Sequence, residues 1–377
     1  VPSYLPQAID RQEETIQLIR SFVECESPSG NPVAIQRMVE LFIESTRGLA
    51  TAKILTGDQV RLEFILPTAR KAPRILALGH SDTVWEPGTL KTMPFRRDSR
   101  RLWGPGVLDM KGGIAFFIMA MKILQALDAP VPYKIVLLIV SDEELGSSSS
   151  RTHTEAEALK SSHVLVLEPG TGLTGKLKTA RKGVGDYHLK VTGRAAHAGV
   201  DFESGASAIL EAARQIERIA ALTNLKQGTT VNPGIIHGGT RTNVIAAEAT
   251  VDIDIRATRL RHAEALDRKL RALKLVDKRC QIEIEGGLNR PPMERTKEIA
   301  ALFKKAQAIG RAMGLDLEES ATGGGSDGNF TAALGIPTLD GLGAVGEGAH
   351  APNESILIDR IADRVALLAA LCGPSEG

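Results

Sequence analysis

Hydrophobic positions change their period along the chain, and the changes divide it into segments. In the first fifty residues, apolar side chains recur every three or four positions in "TIQLIRSFVECES" and "AIQRMVELFIEST". That spacing predicts helices with one buried face. "SPSGN" between them is a turn cluster. "RLEFILP", "RILALGHSDTV", "YKIVLLIVSDEE" and "HVLVLEPG" are short apolar runs that predict buried strands, and "DMKGGIAFFIMAMKILQAL" predicts a helix after a glycine-rich turn. Short apolar strands alternating with helices predict an α/β domain built on a mixed, largely parallel sheet flanked by helices.

Near residue 180 the pattern shifts to period two, in "VGDYHLKVTG". An amphipathic helix follows ("SGASAILEAARQIERIAAL"), then two strands joined at "GGTRTN", a helix ("LRHAEALDRKLRAL") and a last strand ("CQIEIEGG"). The order β-α-β-β-α-β predicts a ferredoxin-like α+β unit. After "NRPP" the α/β character returns. The expected organisation is one α/β domain formed by 1–179 and 290–377, with 180–289 inserted into it.

Composition narrows the classes. The 377 residues are 43% hydrophobic and 24% charged, with net charge +1, so nothing favours nucleic acid or an acidic membrane surface as a partner. No run of apolar residues reaches the ~20 needed for a membrane span. Cys25, Cys280 and Cys372 are far apart and odd in number, which fits neither a disulfide framework nor a CxxC metal site. A reducing, cytoplasmic location is the expectation. A periplasmic or secreted one stays open if a leader has been removed, since the first residue is Val1.

Chemistry gathers where the apolar runs end. His80 and Asp82 follow "ILALG", Asp109 follows the turn "WGPGVL", Asp142, Glu143 and Glu144 follow "IVLLIV", Glu168 follows "HVLVL", and "GEGAH" carries His350. In open α/β sheets, reactive groups collect at the carboxyl ends of strands. Each residue alone reads as a turn or a solvated acid. Together they form a His/Asp/Glu set, poor in cysteine, that suits divalent metals such as zinc. Two ions sharing a carboxylate would also compensate three adjacent acids.

"GHSDTV", "GPGVLDMKGG", "SDEELGSSSSR", "LEPG", "GRAAHAGV", "GGTRTNVI" and "GAHAPNE" occur in this chain in one order. That order resembles the dizinc aminoacylase/carboxypeptidase family, which includes acetylornithine deacetylase, succinyl-diaminopimelate desuccinylase, peptidase T and glucarpidase-type glutamate carboxypeptidases. The resemblance spans essentially the whole chain. It implies a zinc-peptidase-like catalytic domain with an inserted lid and dimerisation domain, two Zn²⁺ ions (Co²⁺ or Mn²⁺ sharing such ligands), and a homodimer. It makes His80 and Glu168 ligands of one ion, Glu144 and His350 ligands of the other, and Asp109 the bridge, with a cis peptide just after it. Asp82 would orient His80. Glu143 would be the general base rather than a ligand. His197 would polarise the scissile carbonyl from the partner subunit, and Asn243 would contact the substrate near its carboxylate.

The implied reaction is hydrolysis of an amide beside a carboxylate in a small N-acyl amino acid or peptide. Arg290 in "NRPP", Arg256 in "DIDIRATR" and Lys176 in "LTGKLK" fall where glutamate carboxypeptidases resemble this chain, and "GGGSDGN" (with Gly324 and Gly325) would offer backbone N–H groups to a bound carboxylate. Release of a C-terminal glutamate is therefore the leading expectation. A deacylase of the acetylornithine or succinyl-diaminopimelate type is the second, and a non-catalytic relative the third. Asp142 receives no role from the sequence.

Overall fold

A computed structural model describes residues 4–374. Three helices open the chain, α1 (Leu5–Asp10), α2 (Gln12–Glu24) and α3 (Pro32–Ser45), the last capped by the Asn31 side chain, which accepts from the Ala34 N–H. Strands β1 (Ala50–Leu55), β2 (Gln59–Phe64) and β3 (Arg74–His80) follow, then helix α4 (Gly112–Ala126), strand β4 (Lys134–Val140), helix α5 (Arg151–Ala158) and strand β5 (His163–Val166). Next come strand β6 (Gly183–Thr192), helix α6 (Ala208–Ala220), strands β7 (Thr230–Gly238) and β8 (Glu248–Ala257), helix α7 (Leu260–Arg271) and strand β9 (Gln281–Arg290). Helices α8 (Lys297–Ala312) and α9 (Gly328–Ala333), strand β10 (Thr338–Leu339) and helix α10 (Ile361–Cys372) complete the sequence of main elements.

The contacts divide the chain into two compact units, one of 1–180, 295–321 and 326–377, the other of 181–294 and 322–325. The first holds a six-stranded sheet in the order β1-β2-β4-β3-β5-β10. β4, β3, β5 and β10 run parallel, while β1 and β2 form an antiparallel edge. Alternate residues of the same strands enter different cores. Ile75, Ala77, Ile135 and Leu137 pack with α2, α4 and α10 on one face, and Leu76, Leu78, Val136 and Leu138 pack with Ala158 on the other. Burial on both faces explains why these strands read as unbroken apolar runs.

The second unit is the antiparallel sheet β7-β8-β6-β9. Along β8, Val251, Ile253 and Ile255 are buried in a core that includes Ala212 and Ile219 of α6 and Leu266 and Leu270 of α7. The intervening Asp252, Asp254 and Arg256 lie on the opposite, polar face. The stretch "NVIAA" is not strand as its composition suggests: β8 begins only at Glu248, and the Ile245 N–H is donated to the Ala196 carbonyl of a neighbouring loop. Among the described residues no helix is long and apolar enough to cross a membrane.

Candidate dimetal site

Strand register sets the site. In the parallel pairing, His80 at the end of β3 lies opposite Val140 at the end of β4, and Leu78 lies opposite Val166 at the end of β5. Asp142, Glu143 and Glu144 therefore leave β4 beside His80, while Glu168 leaves β5 at the same level. The fourth approach is the turn 104–111. Gly106 occupies the left-handed region there (φ +73°), and a Cβ on it would meet the Thr83 methyl at 2.8 Å. The peptide after Asp109 is cis. Gly113 starts α4 hard against the end of β5, where a Cβ would lie 2.0 Å from the Leu167 carbonyl oxygen. The paired glycines of "DMKGG" thus let α4 and its leading Asp109 approach Glu168.

Two groups of donors result, and they share Asp109. His80, Asp109 and Glu168 offer atoms that all lie within 4.8 Å of one another, as do Asp109, Glu144 and His350. His80 Nε2 is 3.0 Å from Asp109 Oδ1 and 3.6 Å from Glu168 Oε1. His350 Nε2 is 3.1 Å from Glu144 Oε1 and 3.4 Å from Asp109 Oδ2. His350 lies in the left-handed region (φ +61°) on an exposed loop, whereas His80 is buried.

The electrostatics demand positive charge. Hydrogen bonds to Asp109 and then Glu144 push the His350 pKa up to about 10. Burial disfavours a charge on His80, yet the bond to Asp109 and the fields of Asp109, Glu143 and Asp82 outweigh it and raise its pKa well above the ordinary value. Burial disfavours a charge on Asp109 too, but bonds from His350 and His80 hold it far below the carboxylate range. Two divalent ions fit this donor set: imidazole and carboxylate only, no thiolate, and one carboxylate with an oxygen toward each group.

Asp82 acts differently from expectation in one detail. The Nδ1–H of His80 is donated to the Asp82 backbone carbonyl (2.9 Å), and the Asp82 carboxylate lies farther away, at 3.6 Å. That carboxylate instead accepts the backbone N–H of Glu143 and of Glu144, each at 3.2 Å, and the Ser29 hydroxyl at 2.9 Å. Asp82 therefore holds both the imidazole, through its carbonyl, and the two glutamates, through its side chain. Glu143 and Glu144 sit in a single helical turn, Glu143–Leu145, so their side chains diverge by turn geometry rather than by strand alternation.

Asp142 turns inward and serves the chain itself. Its Oδ2 accepts the N–H and the hydroxyl of Ser149, both at 2.8 Å, and so closes the serine loop before α5. Two residues outside the sequence expectations also brace the site. Lys111 is buried and donates from Nζ to the Cys25 carbonyl at 2.8 Å, and Glu354 is buried against the Asp109 turn. Their only signal in the sequence is membership of "LDMKGG" and "GAHAPNE".

The remaining candidates lie apart from the donor groups in sequence and environment. Lys176, in the first unit, pairs with Glu318 at 2.5 Å. In the second unit, His197 and Asn243 are exposed on adjoining loops, where the Ala198 N–H is donated to the Asn243 carbonyl at 2.9 Å. Arg256 makes a forked pair with Asp254, 2.6–3.0 Å. Arg290 is buried and packs on Gly325, where a Cβ would meet its Cδ at 2.8 Å. The carbonyls of Gly324 and Gly325 accept from Arg181 at 3.2 and 2.9 Å, and the Gly324 N–H points to the Thr322 hydroxyl at 3.4 Å.

Known proteins are similar to this chain in sequence or in fold. Carboxypeptidase G2 of Pseudomonas sp. (strain RS-16) is 28% identical over 97% of this chain and 90% of its own. Succinyl-diaminopimelate desuccinylase of Dechloromonas aromatica (strain RCB) is 30% identical over 93% of this chain and 95% of its own. The crystal structure of aminopeptidase PepT from Bacillus cereus ATCC 10987 superposes with a TM-score of 0.79 at 22% identity, covering 96% of this chain and 98% of that one. Residues 76–373 match the description Peptidase family M20/M25/M40. With a parallel sheet whose strand ends gather two donor groups around one aspartate, the chain belongs to that family of metallopeptidases.

Proposed function

We propose that this metallopeptidase releases a C-terminal amino acid, glutamate foremost, from a small N-acyl or peptidyl substrate. The observation that carries the reading is the sharing of Asp109 by two donor groups, with Glu143, a carboxylate in neither group, held one position before the ligand Glu144. His80 and Glu168 would hold one Zn²⁺ and Glu144 and His350 the other, with Asp109 common to both sets. Such ions would supply Lewis acidity toward the scissile carbonyl and lower the pKa of a water toward 7.

The chain's own residues do the rest. Glu143 takes a proton from the attacking water and returns it to the leaving amine, one group acting as base and then as acid. Asp82 fixes the backbone of that turn and the tautomer of His80. From the inserted unit, which we assign as lid and dimer interface, His197 of a second subunit polarises the carbonyl. Arg290 clamps the α-carboxylate with its guanidinium fork, and Asn243 and Arg256 contribute polar contacts. Lys176 meets a glutamate side chain by exchanging its Glu318 partner, and Gly324 and Gly325 offer backbone to the carboxylate. Similarity to carboxypeptidase G2 over nearly the full chain supports the carboxypeptidase branch.

The match to succinyl-diaminopimelate desuccinylase supports a second reading, a deacylase. A panel of N-acyl and peptidyl substrates ending in glutamate, ornithine or diaminopimelate separates the two by the amino acid released. Preference for glutamate by at least about ten-fold in kcat/KM, roughly 1.4 kcal/mol, fits the first reading. Preference for either diamino acid overturns it.

A further inference from the structure

Glu354 ends the motif that carries His350, and no role in the reaction has yet been given to it. Its side chain is wholly buried, and its carboxylate accepts four N–H hydrogen bonds. Oε1 accepts the backbone N–H of Leu108 at 2.9 Å and of Asp109 at 3.1 Å. Oε2 accepts the N–H of Gly106 at 2.8 Å and the Trp85 indole N–H at 2.8 Å. One carboxylate thus satisfies three consecutive-turn amides that would otherwise be buried donors without partners. The backbone of Glu354 is anchored as well. Its carbonyl accepts from Gly104 at 3.4 Å, and its N–H is donated to Ala351 at 2.9 Å, while the Ala351 N–H reaches Gly348 at 2.8 Å. The loop bearing His350 is therefore two tight turns that end on the same residue that holds the turn bearing Asp109.

The consequence is geometric. His350 is exposed on its loop and reaches Glu144 and Asp109 from there, so its placement depends on the loop. Asp109 is placed by the amides around it. Both depend on Glu354. His80 and Glu168 do not: they stand on the ends of β3 and β5, fixed by the sheet register.

We propose that Glu354 is a positioning residue that sets the approach of His350 to Asp109, and so governs the Glu144/His350 ion more strongly than the His80/Glu168 ion. This rests on the dimetal reading. Glutamine at 354 has the same shape, but its amide group would face two N–H donors in place of an acceptor.

The test is titration of metal-free protein with Co²⁺, followed by calorimetry and by the visible absorption of the bound ion, with circular dichroism to check folding. In folded Glu354→Gln, one equivalent should bind within about three-fold of wild type while the other loses about 10–100-fold, the range seen when a ligand's supporting partner is removed. Its absorption band should change. Two equivalents bound as in wild type overturn the proposal, and so does equal weakening of both, which would make Asp109, common to both donor groups, the only group that Glu354 places. Should Glu354→Gln fail to fold, Trp85→Phe removes one donor without touching the turn. A selective loss of about two- to five-fold in one of the two equivalents is then expected, on the scale of one hydrogen bond, and unchanged affinities overturn the proposal. Wild type that takes up fewer than two ions sinks the dimetal reading itself, and this proposal with it.

Discussion

Glu143 and Glu144 are adjacent, identical in side chain and held by the same carboxylate of Asp82, yet their proposed work differs. Removing the first should leave metal binding intact. Glu143→Ala is expected to lose about 10²–10⁴ in kcat, the usual contribution of acid–base catalysis, while two equivalents of metal are still found by elemental analysis. Loss of an ion in that variant would make Glu143 a ligand. Asp142 should behave in the opposite way. Its bonds to Ser149 are internal, so Asp142→Ala should cost about 2 kcal/mol in urea unfolding, the order expected for hydrogen bonds to a charged group, with kcat changed little. A kcat loss as large as that of Glu143→Ala would contradict this division. His80, Glu144 and Glu168 stand out in the sequence near the ends of apolar runs, whereas the resemblance of their motifs to the family singled out Asp109 and His350 and suggested the role of each. It could not reveal Asp142 or Glu354, whose partners lie seven residues ahead in one case and on a turn some 250 residues back in the other.

At the level of elements, the buried parallel strands and the amphipathic helices were legible because burial itself writes the pattern. β1 was not read as a strand. It is an edge strand exposed on both faces in its middle four residues, so neither alternation nor an apolar run marks it. The run "NVIAA" is apolar enough to suggest the start of a strand, and Ile245 and Ala246 are buried, but their burial comes from loop packing. β5 carries its own pH sensitivity. His163 at its start is buried against the Tyr133 ring, 5.3 Å between centroids. Burial, then the charge of Lys305, pulls its pKa down to about 4 from 6.5. Above pH 6.5 neither state binds the proton and the contribution is complete; between 6.5 and 4 the unfolded chain takes up a proton that the folded one refuses. Stability should therefore fall as pH drops through that window, by up to about 3 kcal/mol. Unfolding midpoints in urea from pH 7 to 4.5 should decline less in His163→Phe than in wild type. Equal slopes would remove His163 from the account.

For the molecule as a whole, the proposed homodimer would form through the inserted unit. β7 is an edge strand, and Ile235 and Ile236 on it are 52% and 51% exposed. Unpaired strand edges with apolar side chains favour pairing with another chain. Sedimentation equilibrium should give twice the chain mass, and Ile236→Lys should shift the population toward one chain. A wild-type monomer at micromolar concentration would remove the partner's His197 from the mechanism. Subunit composition and acyl-side preference are properties of surfaces and loops, which is why motifs alone identify the family more readily than the substrate.

The central claim is that hydrolysis depends on two divalent ions around Asp109. It is tested most directly by stripping the protein with a chelator, then adding Zn²⁺ or Co²⁺ stepwise and following both bound metal and cleavage of an N-acyl glutamate. Activity should vanish on stripping and return in full only as the second equivalent binds. Cleavage that survives complete removal of metal, or that is complete with one ion bound, would contradict it.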